Sequence, residues 1–231
     1  MAIMRPGPLA GQLSGRVGGI VFSRNRGGDY VRNGPSPINP QTAYQTAVRN
    51  ALGLASAGWD GLTDAQRVAW VAWAQSNPVQ NRIGESIRLQ GNAAFVALNS
   101  RLAYEGTAIV ATPPSVNAPD PLLSITGSFD VGAGNFQLAY TATPLGAGLK
   151  LWVLGCLLSS PAVTFVKNKL RHFYTGAAAT ASPVDLQASF SARFGAPVVG
   201  NKVVFVAGVL DGTNGQLSST MRTEGIVTST A

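Results

Sequence analysis

Three regions with different sequence patterns predict an α+β fold: an extended N-terminal arm, a small helical region and a C-terminal antiparallel β-sandwich. Residues 1–38 are rich in Gly and Pro. In residues 39–111, apolar side chains recur at helical spacing, and in residues 122–231, apolar and polar residues alternate with the period of two that is typical of strands. A proline-rich linker, residues 112–121, separates the last two regions. With 231 residues and 45% apolar side chains, the chain is long enough to bury a sizeable core.

The arm is predicted to be extended because glycine and proline recur throughout it. One strand-like run, Gly19–Ser23, is followed by an Arg/Gly turn and a second run, Tyr30–Asn33, so a short hairpin is expected. An isolated hairpin is marginal in water, and we therefore expect the arm to lie against a partner. The arm is also basic, with a single acid, Asp29, against five arginines: Arg5, Arg16, Arg24, Arg26 and Arg32.

Capping signals and apolar spacing predict three helices in the second region. Asn39 and Pro40 are expected to start the first helix, and Gly58 is expected to end it. Thr63 followed by Gln66 is a capping box, which marks the start of the second helix. The helices are expected over residues 41–57, 64–76 and 91–104, with a short strand over 85–89 before the third.

Beyond the linker, the change of period predicts about seven strands, a number that fits an immunoglobulin- or fibronectin III-like sandwich. A short helix is expected to cross between strands where Leu186, Phe190 and Phe194 recur at every fourth position. Tight turns are expected between the last two strands, because the pairs Asp211-Gly212 and Asn214-Gly215 favour them. Strands are expected over residues 136–142, 149–157, 170–174, 202–210 and 217–227.

Composition limits the classes of function. Charged residues make up only 12% of the chain, and 17 basic against 10 acidic residues give a formal net charge of +7. One Cys and one His exclude a disulfide framework and a zinc site built from several Cys or His ligands. No apolar run reaches the length of a transmembrane helix, and the first residues lack the apolar core of a secretory signal, so we expect neither.

No residue pattern indicates catalysis, and we expect no enzyme, no cofactor and no metal. The single imidazole, His172, lies in a predicted strand, and Cys156 lies in an apolar strand as a small buried side chain. The glycine cluster over residues 11–19 lacks the Gly-Lys-Ser/Thr ending of a phosphate loop. The acidic residues are scattered rather than paired.

Two groups of side chains are candidates for assembly contacts. One group belongs to the basic arm, whose arginines suit an acidic surface of a neighbouring subunit or nucleic acid. The other is a cluster of tryptophans, for which packing in a helical core and an aromatic patch buried against another subunit both remain open. The candidates are Arg16, Arg24, Arg26, Tyr30, Arg32, Trp59, Trp70 and Trp73.

Several stretches of the chain resemble a family of virion-type proteins encoded by tailed bacteriophages and prophages. They run from GQLSGRVGGIVF and RNRGGDYVR in the arm, through NPQTAYQTAVR and LTDAQRVAW in the helical region, to SPVDL and ARFG near the last strands. The resemblance implies a structural component of a virus particle, and it assigns neither an activity nor a functional residue.

These observations give one leading hypothesis and three alternatives. We expect a capsid auxiliary or decoration protein, made in the cytoplasm of the host bacterium and carried in the virion, with other virion proteins and copies of itself as partners. A neck, tail or fibre-base protein of the same particle is the first alternative. The others are DNA packaging by the arm arginines and carbohydrate binding by Trp152, Tyr140 or Tyr174. Nucleic acid is the less expected partner, and no membrane contact is expected.

Overall fold

The computed structural model describes residues 2–3, 7, 13–34, 36, 38–81 and 84–229, and it divides the chain into two compact units, residues 1–43 and 44–231. The described residues form four helices and four antiparallel sheets, which confirms the predicted mixture of α and β structure. None of these helices has the length and hydropathy needed to cross a bilayer. Residues 1, 4–6, 8–12, 35 and 37 of the predicted arm, which include Arg5, lie outside the described part.

The first unit contains four strands: β1 (Ala2–Ile3), β2 (Gly15–Val17), β3 (Ile20–Asn25) and β4 (Gly28–Asn33). They form one antiparallel sheet in the order β1-β4-β3-β2. The predicted hairpin is confirmed, with Asn25 paired to Gly28 across a two-residue loop. At the preceding turn, Gly18 has φ +57, a left-handed conformation that tight hairpin loops require and that glycine adopts without steric cost.

Three helices follow, with a two-stranded ribbon between the second and the third: α1 (Ala43–Asp60), α2 (Asp64–Ser76), β5 (Val79–Gln80), β6 (Ser86–Ile87) and α3 (Gly91–Tyr104). The predicted bounds of α2 and α3 are confirmed. In the capping box, the Gln66 amide donates to the Thr63 hydroxyl over 3.3 Å, and the Thr63 amide donates to Gln66 Oε1 over 2.9 Å. The predicted start of α1 is wrong, because Gln41 has φ +47 and a right-handed helix begins only after it.

The predicted end of α1 is wrong as well, because the helix continues through Gly58 to Asp60. The Trp59 ring packs edge-on against Phe95, with centroids 5.6 Å apart. A Cβ on Gly58 would lie 3.2 Å from the side chain of Ile109, so this part of the helix is packed against its neighbours. Tertiary packing therefore extends α1 across a glycine that is unfavourable in an exposed helix.

The rest of the chain forms seven strands and one helix: β7 (Ser124–Asp130), β8 (Asn135–Thr141), β9 (Leu149–Leu158), β10 (Arg171–Ala178), β11 (Val184–Asp185), α4 (Gln187–Phe194), β12 (Lys202–Asp211) and β13 (Met221–Ile226). The predicted crossing helix is found as α4. The alternation did not indicate β7 or the short β11. The predicted start of the last strand is wrong, because Leu217 makes only an isolated bridge to Leu210 and the strand begins at Met221.

These strands lie in two sheets that share one core. One sheet has the order β10-β9-β12-β13 and the other the order β11-β8-β7. A single hydrophobic cluster takes side chains from both sheets and from α4, and its fully buried members include Phe136, Leu138, Val153, Phe190 and Phe205. Burial of this many large apolar side chains is the main stabilising contribution to this part of the molecule.

Strand β12 is buried on both faces, which explains why its sequence is apolar without alternation. One face lies on the shared core. Part of the other face is covered by the loop between β9 and β10, whose Val166 packs with Cys156 and Val204. The other part is approached by α3, since a Cβ on Gly215, just beyond β12, would lie 3.2 Å from the side chain of Leu102.

Two hydrogen bonds of the described residues join α3 and the residue after it to the turn that follows β12 and to β10. The Arg101 guanidinium donates to the Gly215 carbonyl over 2.9 Å, and the Thr175 hydroxyl donates to Glu105 Oε1 over 2.8 Å. The helices and the two sheets therefore belong to one compact unit, and residues 112–121, which we predicted to be a linker, lie inside it.

Candidate interaction surfaces

The N-terminal sheet places three of the candidate assembly residues on one face. Arg16 and Arg32 both pair in register with Val21, so their side chains share its face. Tyr30 pairs with Ser23, which lies two residues from Val21 and therefore on the same face. The sequence did not indicate this grouping, because it depends on the register of three strands.

Two further arginines of the described part of the arm, Arg24 and Arg26, are separated from this group. Arg24 lies on the opposite face, where its Nε is 3.8 Å from the Asp29 carboxylate. Arg26 lies in the turn between β3 and β4. The arm therefore does not present its arginines as one continuous basic surface, which weakens the DNA-packaging alternative.

The N-terminal sheet buries very little of its own surface. None of the side chains that the structure describes in residues 13–43 is buried. On the face opposite Arg16, Val17 is 71% and Ile20 is 44% exposed, and Phe22 and Val31 are half-buried. Small sheets need a covered apolar face to be stable in water. Within its described residues, this unit has paired strands without a core.

The three clustered tryptophans pack mainly inside the chain. Trp70 is 1% exposed, its indole N–H donates to the Ala111 carbonyl over 2.8 Å, and its ring lies 5.3 Å from that of Phe95. Trp59 and Trp73 are partly buried against the same cluster. This burial corrects the expectation that Trp70 contacts another subunit. A contact through the exposed edges of Trp59 and Trp73 stays a prediction.

Three aromatic rings lie where α3 meets the sheet. The Trp152 and His172 rings stack with centroids 3.7 Å apart, and Tyr104 meets both edge-on, at 6.3 and 5.2 Å. Beside them is a cavity of about 230 Å³ with an almost entirely apolar lining, to which Val48 and Leu52 of α1 contribute. The cavity lacks the convergent polar groups that orient a substrate.

His172 is half-buried, and its ring is held by hydrogen bonds. Its Nε2 lies 3.0 Å from the Tyr174 carbonyl, which can only accept, so Nε2 carries the hydrogen. Nε2 also lies 2.9 Å from the Thr175 hydroxyl, whose own hydrogen goes to Glu105. Burial, with a smaller contribution from Arg193, lowers the pKa of His172 to about 4. The imidazole is therefore neutral at pH 7.

The remaining candidates for chemistry and ligand binding are packed inside the chain. Cys156 is 2% exposed, and burial raises the pKa of its thiol, which disfavours the nucleophilic thiolate. Tyr140 is 3% exposed and donates its hydroxyl hydrogen to Thr180, while Trp152 is stacked and Tyr174 packs on the core. No group of three His, Cys, Asp or Glu side chains that could hold a metal occurs in the described part of the chain.

The sequence pattern does not indicate which residues join the helices to the sheet. The Asn-Gly pair predicts a turn at Gly215, and the φ of +76 at this residue agrees with a turn. The structure also shows that the backbone of α3 lies very close to Gly215, because a Cβ at this position would be 2.3 Å from the Leu98 carbonyl oxygen. An Asn-Gly pair predicts a backbone conformation and carries no signal for such a contact.

No family model, curated protein or solved structure matches this chain. The resemblance to bacteriophage proteins therefore depends on the sequence stretches alone, and a function has to be argued from the surfaces described above.

Proposed function

We propose that the chain is a structural component of a bacteriophage virion, with an auxiliary or decoration role on the capsid. The observation that carries this proposal is the N-terminal sheet, which pairs its strands and buries none of its described side chains. Such a sheet gains stability when a partner surface covers it. The resemblance of several sequence stretches to virion-type proteins favours a virus particle as the source of that surface.

The C-terminal sheets support an immunoglobulin-like module of the fibronectin III type. With the strands lettered A, B, C, C′, E, F and G in chain order, one sheet reads A-B-E and the other C′-C-F-G. This strand order, in which the fourth strand joins C rather than E, favours the fibronectin III-like form of the sandwich. The additional helix α4 between E and F departs from the simplest form. The fold fits a displayed or spacing module and does not by itself imply a function.

The arm should be necessary for assembly and dispensable for folding of the second unit. A chain that begins at Asn39 should remain folded, because the clusters around Trp70 and Phe205 lie entirely in residues 44–231. It should fail to enter particles when it is the only copy supplied. Normal incorporation of this shortened chain would contradict the proposal.

A finer test uses the face that carries Arg16, Tyr30 and Arg32. Replacing all three with Ala should reduce incorporation while leaving the melting transition unchanged. Arg88→Ala, an exposed arginine in the second unit, is the matched control. Cryo-EM of the particle then separates the two locations, since copies spread over the shell indicate decoration and copies confined to one vertex or the tail indicate a neck or tail protein.

A further inference from the structure

The loop between β9 and β10, residues 159–170, carries a concentrated positive charge. Lys167 and Lys169 lie on the loop, Arg171 follows it at once, and all three side chains are exposed. Residues 159–171 contain no acid. None of these three cations takes part in an ion pair of the described residues. Their charges are therefore available to an anionic partner.

Two further cations lie at the base of the loop. The Lys202 ammonium donates to the Val163 carbonyl over 3.3 Å, and the Arg222 guanidinium donates to the Thr164 carbonyl over 3.4 Å. Both pair with Glu224, the single carboxylate among these contacts. Together with the three cations of the loop, they give this surface a net charge of +4.

The strand register places the two cations at the base of the loop on one face of the sheet. Lys202 pairs with Ile226 and Val206 pairs with Arg222, so Lys202, Arg222 and Glu224 share a face. Cys156 pairs with Val204 and lies on that face as well. Burial raises the pKa of its thiol, while Arg222 and Lys169 act in the opposite direction.

One aromatic side chain projects from the same loop. Phe165 is 70% exposed, although the next residue, Val166, is 2% exposed and packs in the cluster under the loop. The loop is held on both sides of Phe165, by the bond from Arg222 to the Thr164 carbonyl and by a 2.8 Å bond from the Lys169 amide to the Val166 carbonyl. Among the described residues, the Phe165 ring packs against no other ring and no cation.

We propose that residues 163–171, together with Arg222, form a binding surface for single-stranded nucleic acid. The exposed Phe165 ring offers a stacking face for one base, and the surrounding cations contact the phosphates. Single strands are bound in this way, by aromatic side chains beside positive charges. A duplex presents few free base faces, so a stacking ring favours a single strand. This surface is separate from the proposed assembly face and does not depend on it.

Fluorescence anisotropy with the full chain and a labelled thymidine oligonucleotide of about twelve nucleotides tests the proposal. With about four phosphates neutralised, the logarithm of the affinity should fall against the logarithm of the salt concentration with a slope of about −2.8. The affinity should therefore drop roughly 50-fold for a fourfold increase in salt. A blunt duplex of the same length should bind more weakly.

Two variants separate the stacking contribution from the charge contribution. Phe165→Ala should weaken binding by roughly 5- to 150-fold with an unchanged salt slope. Lys167→Ala combined with Lys169→Ala should halve the slope, to about −1.4. Lys150→Gln, which removes one charge from the start of β9, is the matched control and should change binding little. Since Phe165, Lys167 and Lys169 are exposed, the loop variants should melt like the parent chain.

Three results would overturn the proposal. The first is equal binding of single strand and duplex with no effect of Phe165→Ala, which would mean unspecific charge attraction. The second is oligonucleotide binding that is lost on replacing Arg24 and Arg26 with Ala and unaffected by the loop variants. The third is Phe165-dependent binding to phosphatidylserine-containing vesicles without binding to the oligonucleotide. The assembly proposal would survive each of them, because its test concerns the arm.

Discussion

The molecule contains two four-stranded antiparallel sheets that differ in burial rather than in strand pairing. In both, neighbouring strands are paired residue by residue over much of their length. In the sheet β1-β4-β3-β2, none of the described side chains is buried, whereas nine of the ten residues of β12 in the sheet β10-β9-β12-β13 are buried. Backbone hydrogen bonds replace bonds to water and give a modest net gain, so apolar burial accounts for most of the difference in stability between the sheets.

The two faces of the central strand β12 in the second sheet are buried by different parts of the chain. One face of β12 lies on the core shared with the three-stranded sheet. The other face is covered by parts of the chain far away in sequence, namely the loop around Val166 and helix α3. The central strand β12 of the second sheet is therefore covered on both faces by its own chain. The stability of the first sheet would depend on a partner that covers it, as we expect of a surface for assembly.

The largest expected effect comes from making the same substitution in both sheets. Phe205 is fully buried and packs against Phe129, Phe136 and Phe190, so Phe205→Ala should lower the free energy of unfolding by about 3–5 kcal/mol. Phe22→Ala should change the main unfolding transition by less than about 0.5 kcal/mol. Urea denaturation of the full chain measures both. Equal losses would mean that the first sheet has a core of its own.

The next effect tests the cover that α3 gives to the second sheet. Gly215→Ala places a Cβ 2.3 Å from the Leu98 carbonyl oxygen in a left-handed conformation, and it should cost about 3 kcal/mol or more. Gly134→Ala is the matched control, since Gly134 has φ +68 and nothing within 4 Å of the added atom. It should cost about 1 kcal/mol, from the backbone conformation alone. Similar costs for both would show that α3 adapts to the added methyl group.

The sequence predicted the features that depend on local chemistry. The capping box of Thr63 and Gln66 determines where α2 begins, and both ends of that helix are confirmed. The uninterrupted apolar run of β12 located the strand to within one residue at its end. In both cases, the residues that determine the element lie within the element itself.

The sequence did not predict the features that depend on residues far apart along the chain. Gly58 predicts the end of α1, and this prediction is wrong because Trp59 and Gly58 pack against Phe95 and Ile109. The grouping of Arg16 with Arg32 requires the register of three strands. The exposed position of Phe165 beside the buried Val166 depends on the cluster beneath the loop.

A third, smaller effect should appear in the pH dependence of the second sheet. The pKa of His172 is about 4 in the folded chain against an ordinary value of 6.5, mainly because of burial. As the pH falls below 6.5, the unfolded chain takes up a proton that the folded chain does not, so stability falls until about pH 4 and then levels off. Between pH 6.5 and 5 the loss should be about 2 kcal/mol.

His172→Gln isolates this contribution, because the other groups around the imidazole remain. Those groups are Tyr104 on α3, Glu105 just after it, Trp152 on β9, Tyr174 and Thr175 on β10, and Arg193 on α4. The variant should be less stable at pH 7 and lose less stability between pH 6.5 and 5, as measured by denaturation at each pH. Parallel curves for the parent chain and the variant would place His172 in a more solvated site than the structure shows.

The smallest expected effect compares one ion pair from each sheet. In the first sheet, Arg24 and Asp29 are 3.8 Å apart and the arginine side chain is 64% exposed, so Asp29→Asn should cost less than about 0.3 kcal/mol. In the second sheet, the Lys202 ammonium lies 3.0 Å from Glu224 and its side chain is 9% exposed. Glu224→Gln leaves that ammonium largely buried without its carboxylate, and a cost of about 1 kcal/mol is expected, less than for a fully buried pair because Glu224 is partly exposed. Repeating the denaturation in 1 M salt should leave most of the Glu224 effect in place, since buried pairs are screened less than exposed ones. A Glu224 effect that disappears in salt would show that water reaches this pair, and the contrast between the two sheets would then be limited to their apolar side chains.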